Sequence, residues 1–209
     1  MTYSPTGGII AAPTMGLPES WAGGRNFGFR YCWLRDATLT LYAFLISGYM
    51  DEVRRWREWP LRVAAGRPQD LQILYSLAEE RRLSENALDW LPGYQGIGPV
   101  LIGNAAHSQH QLDVYGEIFD ALHLARRAGI EPEAQVWSLQ RELLDFLESK
   151  WTEPDDGIWE MRGPRRQFTH SKVMAWVAFD RAVNTDPRPD PKRDWRRGTV
   201  GAWQSHGPQ

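Results

Sequence analysis

The residues able to do chemistry gather in two stretches. In residues 154–163 a glycine-containing turn, Asp155-Asp156-Gly157, delivers Ile158-Trp159-Glu160, so a carboxylate stands directly after an indole. An apolar neighbour of that kind keeps water off a carboxyl group and raises its pKa, which a general acid needs near neutral pH. Upstream, Tyr31-Cys32-Trp33-Leu34-Arg35-Asp36 sets an ion-pairable Arg-Asp dipeptide among aromatics. Aromatic faces under a ring and charged groups on hydroxyls together suit a sugar. Each stretch also has a bland explanation. Glu160 can be an exposed carboxylate at a loop end, and Asp36 a helix N-terminal acid favoured by the macrodipole beside a surface Arg35.

Helices must position these groups. A helix is expected over Arg35–Ser47, with Leu39, Tyr42, Ala43 and Ile46 on its inward face and Gly48 closing it. A second should run over about Asp51–Ala65, with Asp51 as N-cap, Gly66 past its end and Pro60 as a kink. A connection of a few residues makes the two a hairpin. Leu71–Tyr75 alternates like a short strand, with Pro99–Ile102 as its expected partner. Between them lies the turn-rich Leu91-Pro92-Gly93-Tyr94-Gln95-Gly96, a loop long enough to suggest a function. Ile9–Ala12 reads as an extended segment packed under a pocket.

A long helix is expected over Ala105–Ala128, with Leu112, Tyr115, Ile118, Phe119, Leu122 and Ala125 inward. Glu133–Trp151 should follow as its hairpin partner through Val136, Leu139, Leu143, Phe146, Leu147 and Lys150. A fifth helix, Ser171–Val183, carries Val173, Trp176, Val177 and Asp180. Repeated helix pairs separated by long loops gather their chemically busy loops at one end. Trp33–Asp36, Gly103-Asn104 and Trp159-Glu160 all fall on that side. Asn104 can cap the following helix, line the site, or do both. After Val183 the periodicity fails, and the Pro- and Arg-rich 184–209 reads as a disordered tail or as sequence foreign to the domain before it.

The bulk properties narrow the classes. The chain has 209 residues, a formal net charge of -2 and 42% hydrophobic residues, a composition able to build a core. Near-neutral charge argues against a nucleic-acid partner, and the short basic run Lys192–Arg197 reads as a solvated tail. No apolar run approaches membrane-span length, and the N-terminus lacks a signal-like segment. Cys32 is the sole cysteine, so no intrachain disulfide forms and secretion gains no support; a cytoplasmic location is expected. His107 and His110 stand one turn apart but lack a third ligand in sequence, so neither a metal nor a cofactor is expected. The 11 tryptophans are the compositional oddity, and Trp21, Trp33, Trp90 and Trp159 sit in Gly- and Pro-rich connections rather than on helix faces.

Seven pieces in order resemble the catalytic domain of glycoside hydrolase family 15, the family of glucoamylases, glucodextranases and some bacterial trehalases. They begin at Ser4, Arg30, Leu91, Ile102, Gln111, Asp156 and Phe168, reading SPTGGI, RYCWLRDA, LPGY, IGNAA, QLDVYGE, DGIWE and FTHSKVMAWVAFDRA. The resemblance covers roughly residues 3–183. It implies an all-α fold, here a partial (α/α)6 toroid of antiparallel hairpins with short β segments in the long loops, occupying 1–183. It implies inverting, exo-acting hydrolysis of an α-linked glucose oligosaccharide or trehalose, with Glu160 as general acid. Arg35 and Asp36 match the pair that grips the non-reducing glucose; Trp33 and Trp159 would line the pocket, with Asn104 near it. The family's general base matches nothing here, its N-terminal β domain is absent, and Asn26-Phe27-Gly28-Phe29 replaces the usual Asn-Trp-Asp-Tyr. The expectation is therefore the N-terminal half of such a domain, with the acid and without the base; the alternative is a non-catalytic sugar-binding or helical scaffold protein.

Overall fold

A computed structural model describes residues 1–14, 17–22, 26–63, 70–131, 134–160 and 162–185. These fall into two compact units, one within residues 1–110 and the other beginning at Gln111. Most of the regular secondary structure is helical, with five α-helices and four two-residue strands among the described residues.

In the first unit, α1 spans Leu34–Ser47 and α2 spans Met50–Val63. Gly48 ends α1 in the left-handed conformation (φ 80°) and its N–H returns to the Leu45 and Phe44 carbonyls; only glycine adopts that geometry without cost. The expected face of α1 is the wrong one. Leu34, Ala37, Thr38 and Leu41 are buried, whereas Leu39 and Ile46 are 66% and 69% exposed and Tyr42 is exposed as well. α2 runs through Pro60 and buries it with Val53, Trp56, Trp59 and Val63. Asp51 lies inside the first turn, ion-paired to Arg54 at 2.9 Å, rather than capping it. The expected end of α2 at Ala65 and Gly66 lies outside the described residues.

The short strands pair differently from the expectation. β1 (Cys32–Trp33) pairs antiparallel with β2 (Leu74–Tyr75), Trp33 opposite Leu74. β3 (Asn86–Ala87) takes β4 (Leu101–Ile102), which the alternation had assigned to the Leu71–Tyr75 strand. Two-residue ladders leave too little periodicity for sequence to choose between partners. Ile9–Ala12 is extended as expected: Ala11 and Ala12 donate to the Tyr31 and Phe29 carbonyls, and Ile9 is fully buried.

The segment expected as one helix from Ala105 is broken. A 3-10 turn covers Ala105–Ser108, and α3 starts only at Asp113, running to Arg127. In the second unit α3 buries all six expected residues, from Leu112 to Ala125. α4 (Ala134–Lys150) buries Val136, Gln140, Leu143, Leu144 and Leu147, a face turned slightly from the expected one. α5 (Thr169–Thr185) extends past Val183 and packs on α3 through Ala175, Ala178, Phe179 and Ala182, with Val173 and Trp176 exposed. The approach is close enough that a Cβ on Gly116 would meet the Met174 carbonyl oxygen at 2.3 Å. Of the expected tail, residues 186–209 lie outside the described residues. No helix among the described residues is long and apolar enough to cross a membrane.

Candidate functional site

The first unit carries four of the six candidate residues. Trp33 occupies the N-cap position of α1 in extended conformation, and the Leu34 N–H donates to the Ile73 carbonyl at 3.0 Å. The β1–β2 ladder therefore delivers Arg35 and Asp36 in the first turn of α1, both half-buried. The Trp33 ring is buried against Phe29 and Tyr31, at centroid separations of 5.5 and 6.2 Å. Burial pushes the Asp36 carboxyl above the ordinary aspartate range, against the opposing pull of the Arg35 guanidinium. Burial, with the Asp36 charge nearby, lifts the Cys32 thiol to about 12, so this cysteine stays protonated and is no nucleophile.

Asn104 reaches the same neighbourhood through its backbone. The Gly103 N–H donates to the Tyr31 hydroxyl at 2.7 Å, two residues before Trp33. Gly103 is left-handed (φ 78°), and a Cβ there would stand 2.0 Å from the Ser84 carbonyl oxygen. Asn104 is fully buried, accepts from the Ala106 N–H at 2.8 Å as a cap of the 3-10 turn, and leaves its amide Nδ2 without a hydrogen-bond partner among the described residues. Gln72 ties that turn to β2 by donating to the His107 carbonyl at 2.6 Å. His107 itself is held against the Asn104 carbonyl at 2.9 Å. Among the described residues no group of three His, Cys, Asp or Glu side chains is placed to hold a metal ion.

Trp159 and Glu160 lie in the second unit, on the loop between α4 and α5. Glu160 is half-buried and held at φ 50°, a left-handed conformation uncommon for a non-glycine residue. Trp159 is 77% exposed. Trp21 and Trp90 are exposed too, Trp21 beside Tyr94 at 6.5 Å, so Trp33 is the one loop tryptophan of the four that is buried.

Comparison with known proteins bears on what these pieces belong to. The family model described as "Glycosyl hydrolases family 15" matches residues 1–190. The chain belongs to glycosyl hydrolases family 15. It is 39% identical over 184 residues to a trehalase of Mycolicibacterium smegmatis, covering 87% of this chain and 28% of that protein. It is 37% identical over 202 residues to a trehalase of Mycobacterium tuberculosis (94% and 30%) and 38% identical over 181 residues to one of Thermoplasma acidophilum (87% and 31%). The chain thus spans about a third or less of the length of these relatives. No solved structure matches it.

The family 15 segments also contain supports that sequence reasoning passed over. Asn26 is fully buried and its amide donates to the Ile97 and Pro99 carbonyls at 3.0 and 2.9 Å, fastening the Leu91–Gly96 loop. Two residues on, a Cβ added to Gly28 would find its nearest neighbour, Tyr31, at an ordinary 3.7 Å. Asp155 is fully buried at the foot of the Glu160 loop. Its one signal in sequence is its place before a glycine turn, which says nothing of the donors that other elements bring to it.

Proposed function

We propose that this chain carries the acid side of an inverting α-glucoside hydrolase site whose substrate is trehalose, and that the general base comes from sequence outside it. The observation that carries this reading is the similarity, over 87–94% of the chain, to three proteins named trehalase. Inversion needs one carboxylic acid to protonate the leaving oxygen while a second carboxylate, roughly 6.5–9.5 Å away, activates water on the opposite face. Glu160 is the acid: its proton goes to the glycosidic oxygen as the C–O bond breaks, and water adds at the anomeric carbon from the other side. The Arg35 guanidinium donates to sugar hydroxyls and Asp36 accepts from them, both fixed at the start of α1. Trp33 backs that pair, and Asn104 holds the neighbouring turn.

The same proposal extends to the fold, an (α/α)6 toroid of which this chain supplies the first helix pairs. Support comes from α1, whose Leu39, Tyr42, Ala43 and Ile46 stripe lies open to solvent, as a helix face does when its neighbours are missing. A cytoplasmic location belongs to the proposal as well.

Hydrolysis and binding test it separately. General acid–base terms are worth about 10²–10⁴-fold each, so the purified chain, lacking the base, should show little or no hydrolysis of trehalose or maltose. Clear activity lost in Glu160→Gln would place the base inside this chain and overturn that part. Titrating intrinsic tryptophan fluorescence with trehalose should give a saturable change, weakened on the order of tenfold or more by Arg35→Ala. A flat titration from a chain that melts cooperatively would instead favour the scaffold reading. A maltose response stronger than the trehalose response would move the linkage from α,α-1,1 to α-1,4.

A further inference from the structure

The foot of the Glu160 loop is built around a charge buried at some expense. Asp155 is fully buried, yet its Oδ2 accepts from the Leu112 N–H at 2.9 Å and from the Ser171 hydroxyl at 2.7 Å. Leu112 stands at the start of α3 and Ser171 in the first turn of α5, so the carboxylate faces the N-terminal ends of two helices that pack on one another. Partial positive charge collects at such ends and complements an anion. The backbone of Asp155 meanwhile exchanges both hydrogen bonds with Arg166, at 3.0 and 2.9 Å. Lys172, next along α5, donates to the Trp151 and Glu153 carbonyls at 2.7 Å each and holds the incoming chain. Gly157 is left-handed (φ 68°) with the Phe168 ring where a Cβ would be, 2.6 Å away.

Stability alone does not call for this arrangement. A buried carboxylate loses its hydration, a cost that hydrogen bonds from the Leu112 N–H and the Ser171 hydroxyl must offset. The Oδ1 atom has no hydrogen-bond partner among the described residues. What the carboxylate provides is directional: it ties the ends of two helices to one point, five residues before Glu160. The loop from 155 to 166 is thereby closed at its base, with Glu160 near its apex in a constrained conformation. Groups that must sit within a fraction of an ångström are held by such buried hydrogen-bonded supports.

We propose that Asp155, with Ser171, is the positioning residue for Glu160, setting where the acid stands by locking the loop to the starts of α3 and α5. This rests on Glu160 being the acid. The test compares the full chain with Asp155→Asn, Ser171→Ala, Ser171→Thr and Glu160→Gln. Its ligand is 1-deoxynojirimycin, a sugar-shaped amine whose ammonium pairs with a carboxylate. Ser171→Ala removes one donor and leaves the fold the better chance of surviving; Ser171→Thr keeps the hydroxyl.

Asp155→Asn and Ser171→Ala should weaken the amine on the order of tenfold, as a displaced site group does, and Ser171→Thr should restore it. Backbone amides of Ile158–Glu160 should exchange with deuterium on the order of tenfold faster in the first two variants, with the interiors of α3 and α5 still protected. If Glu160→Gln binds the amine as the parent does, the acid assignment fails and this proposal with it. If Glu160→Gln weakens binding while Asp155→Asn and Ser171→Ala do not, positioning is overturned and the acid assignment stands. Exchange needs no ligand: unchanged rates at Ile158–Glu160 in both variants overturn the proposal, as does loss of protection spread evenly through α3 and α5.

Discussion

Asp36 shows how a single residue can set stability against binding. Burial holds its carboxyl above the ordinary aspartate range, with Arg35 only partly offsetting the effect. A carboxyl with a raised folded-state pKa binds its proton more tightly in the folded chain than in the unfolded one. Its contribution to stability is therefore greatest below the ordinary aspartate range and is lost as pH rises through the raised value. At neutral pH the ionised, half-buried group is a net cost. Asp36→Asn should accordingly be at least as stable as the parent at pH 7, and that advantage should shrink on acidification toward the ordinary aspartate pKa. Denaturant melts of both proteins across that range check the sign. The same variant should bind trehalose more weakly, because the amide has lost the charge that strengthens hydrogen bonds from sugar hydroxyls. A stabilised variant with poorer binding is the signature of a residue kept for function. Asp36 could be singled out from its neighbours in sequence. Asp155, fully buried where Asp36 is half-buried, could not, since its partners at Leu112 and Ser171 stand 43 and 16 residues away.

At the scale of elements, helix existence was readable and helix facing was not. All five helices fall where apolar periodicity puts them, and α3 buries every residue assigned to its core. α1 buries Leu34, Ala37, Thr38 and Leu41 instead of the assigned stripe. At α5 the reason is that periodicity favours bulky side chains, whereas its close contact with α3 is made by small ones. α5 meets α3 through Ala175, Ala178 and Ala182, leaving Trp176 and Val173 outside. Opposite them Gly116 lets the Met174 backbone approach to a distance that no side chain tolerates. The break before α3 comes after the turn that Asn104 caps: Gln109 is extended (φ -75°, ψ 148°) and the Leu112 N–H goes to Asp155, a partner 43 residues away that local periodicity does not show. Gly116→Ala tests the packing directly. Alanine favours an isolated helix by about 1 kcal/mol over glycine, so a surface position would gain. Here the added methyl must force α3 and α5 apart, and overpacking of that kind costs about 1–3 kcal/mol. A lowered denaturation midpoint with unchanged helical content before the transition is the expected outcome; a raised midpoint would mean the two helices are not in backbone contact.

For the molecule as a whole, family membership was carried by short pieces in a fixed order, which need no knowledge of helix facing or strand pairing. The matched relatives are about three times as long, and the stripe on α1 bears on what the extra length does. From Thr38 to Met50 the sequence has no charged residue, while Leu39, Tyr42, Ile46 and Tyr49 are all exposed. A surface helix facing water permanently would carry charges there. If the remainder of a family 15 protein covers this face, two consequences separate. Substituting Leu39→Lys and Ile46→Glu should leave the isolated chain's stability within about 0.5 kcal/mol for each change, as at ordinary exposed positions. Co-expressed with the part of a related trehalase that follows the matched segment, the parent chain should be retained by that fragment and yield trehalose hydrolysis that Glu160→Gln removes. The double variant should fail at retention, because two charges would have to be buried without partners. Retention of the double variant as strong as the parent's would mean that α1 faces solvent in the complete protein, and that the uncharged stripe has some other cause.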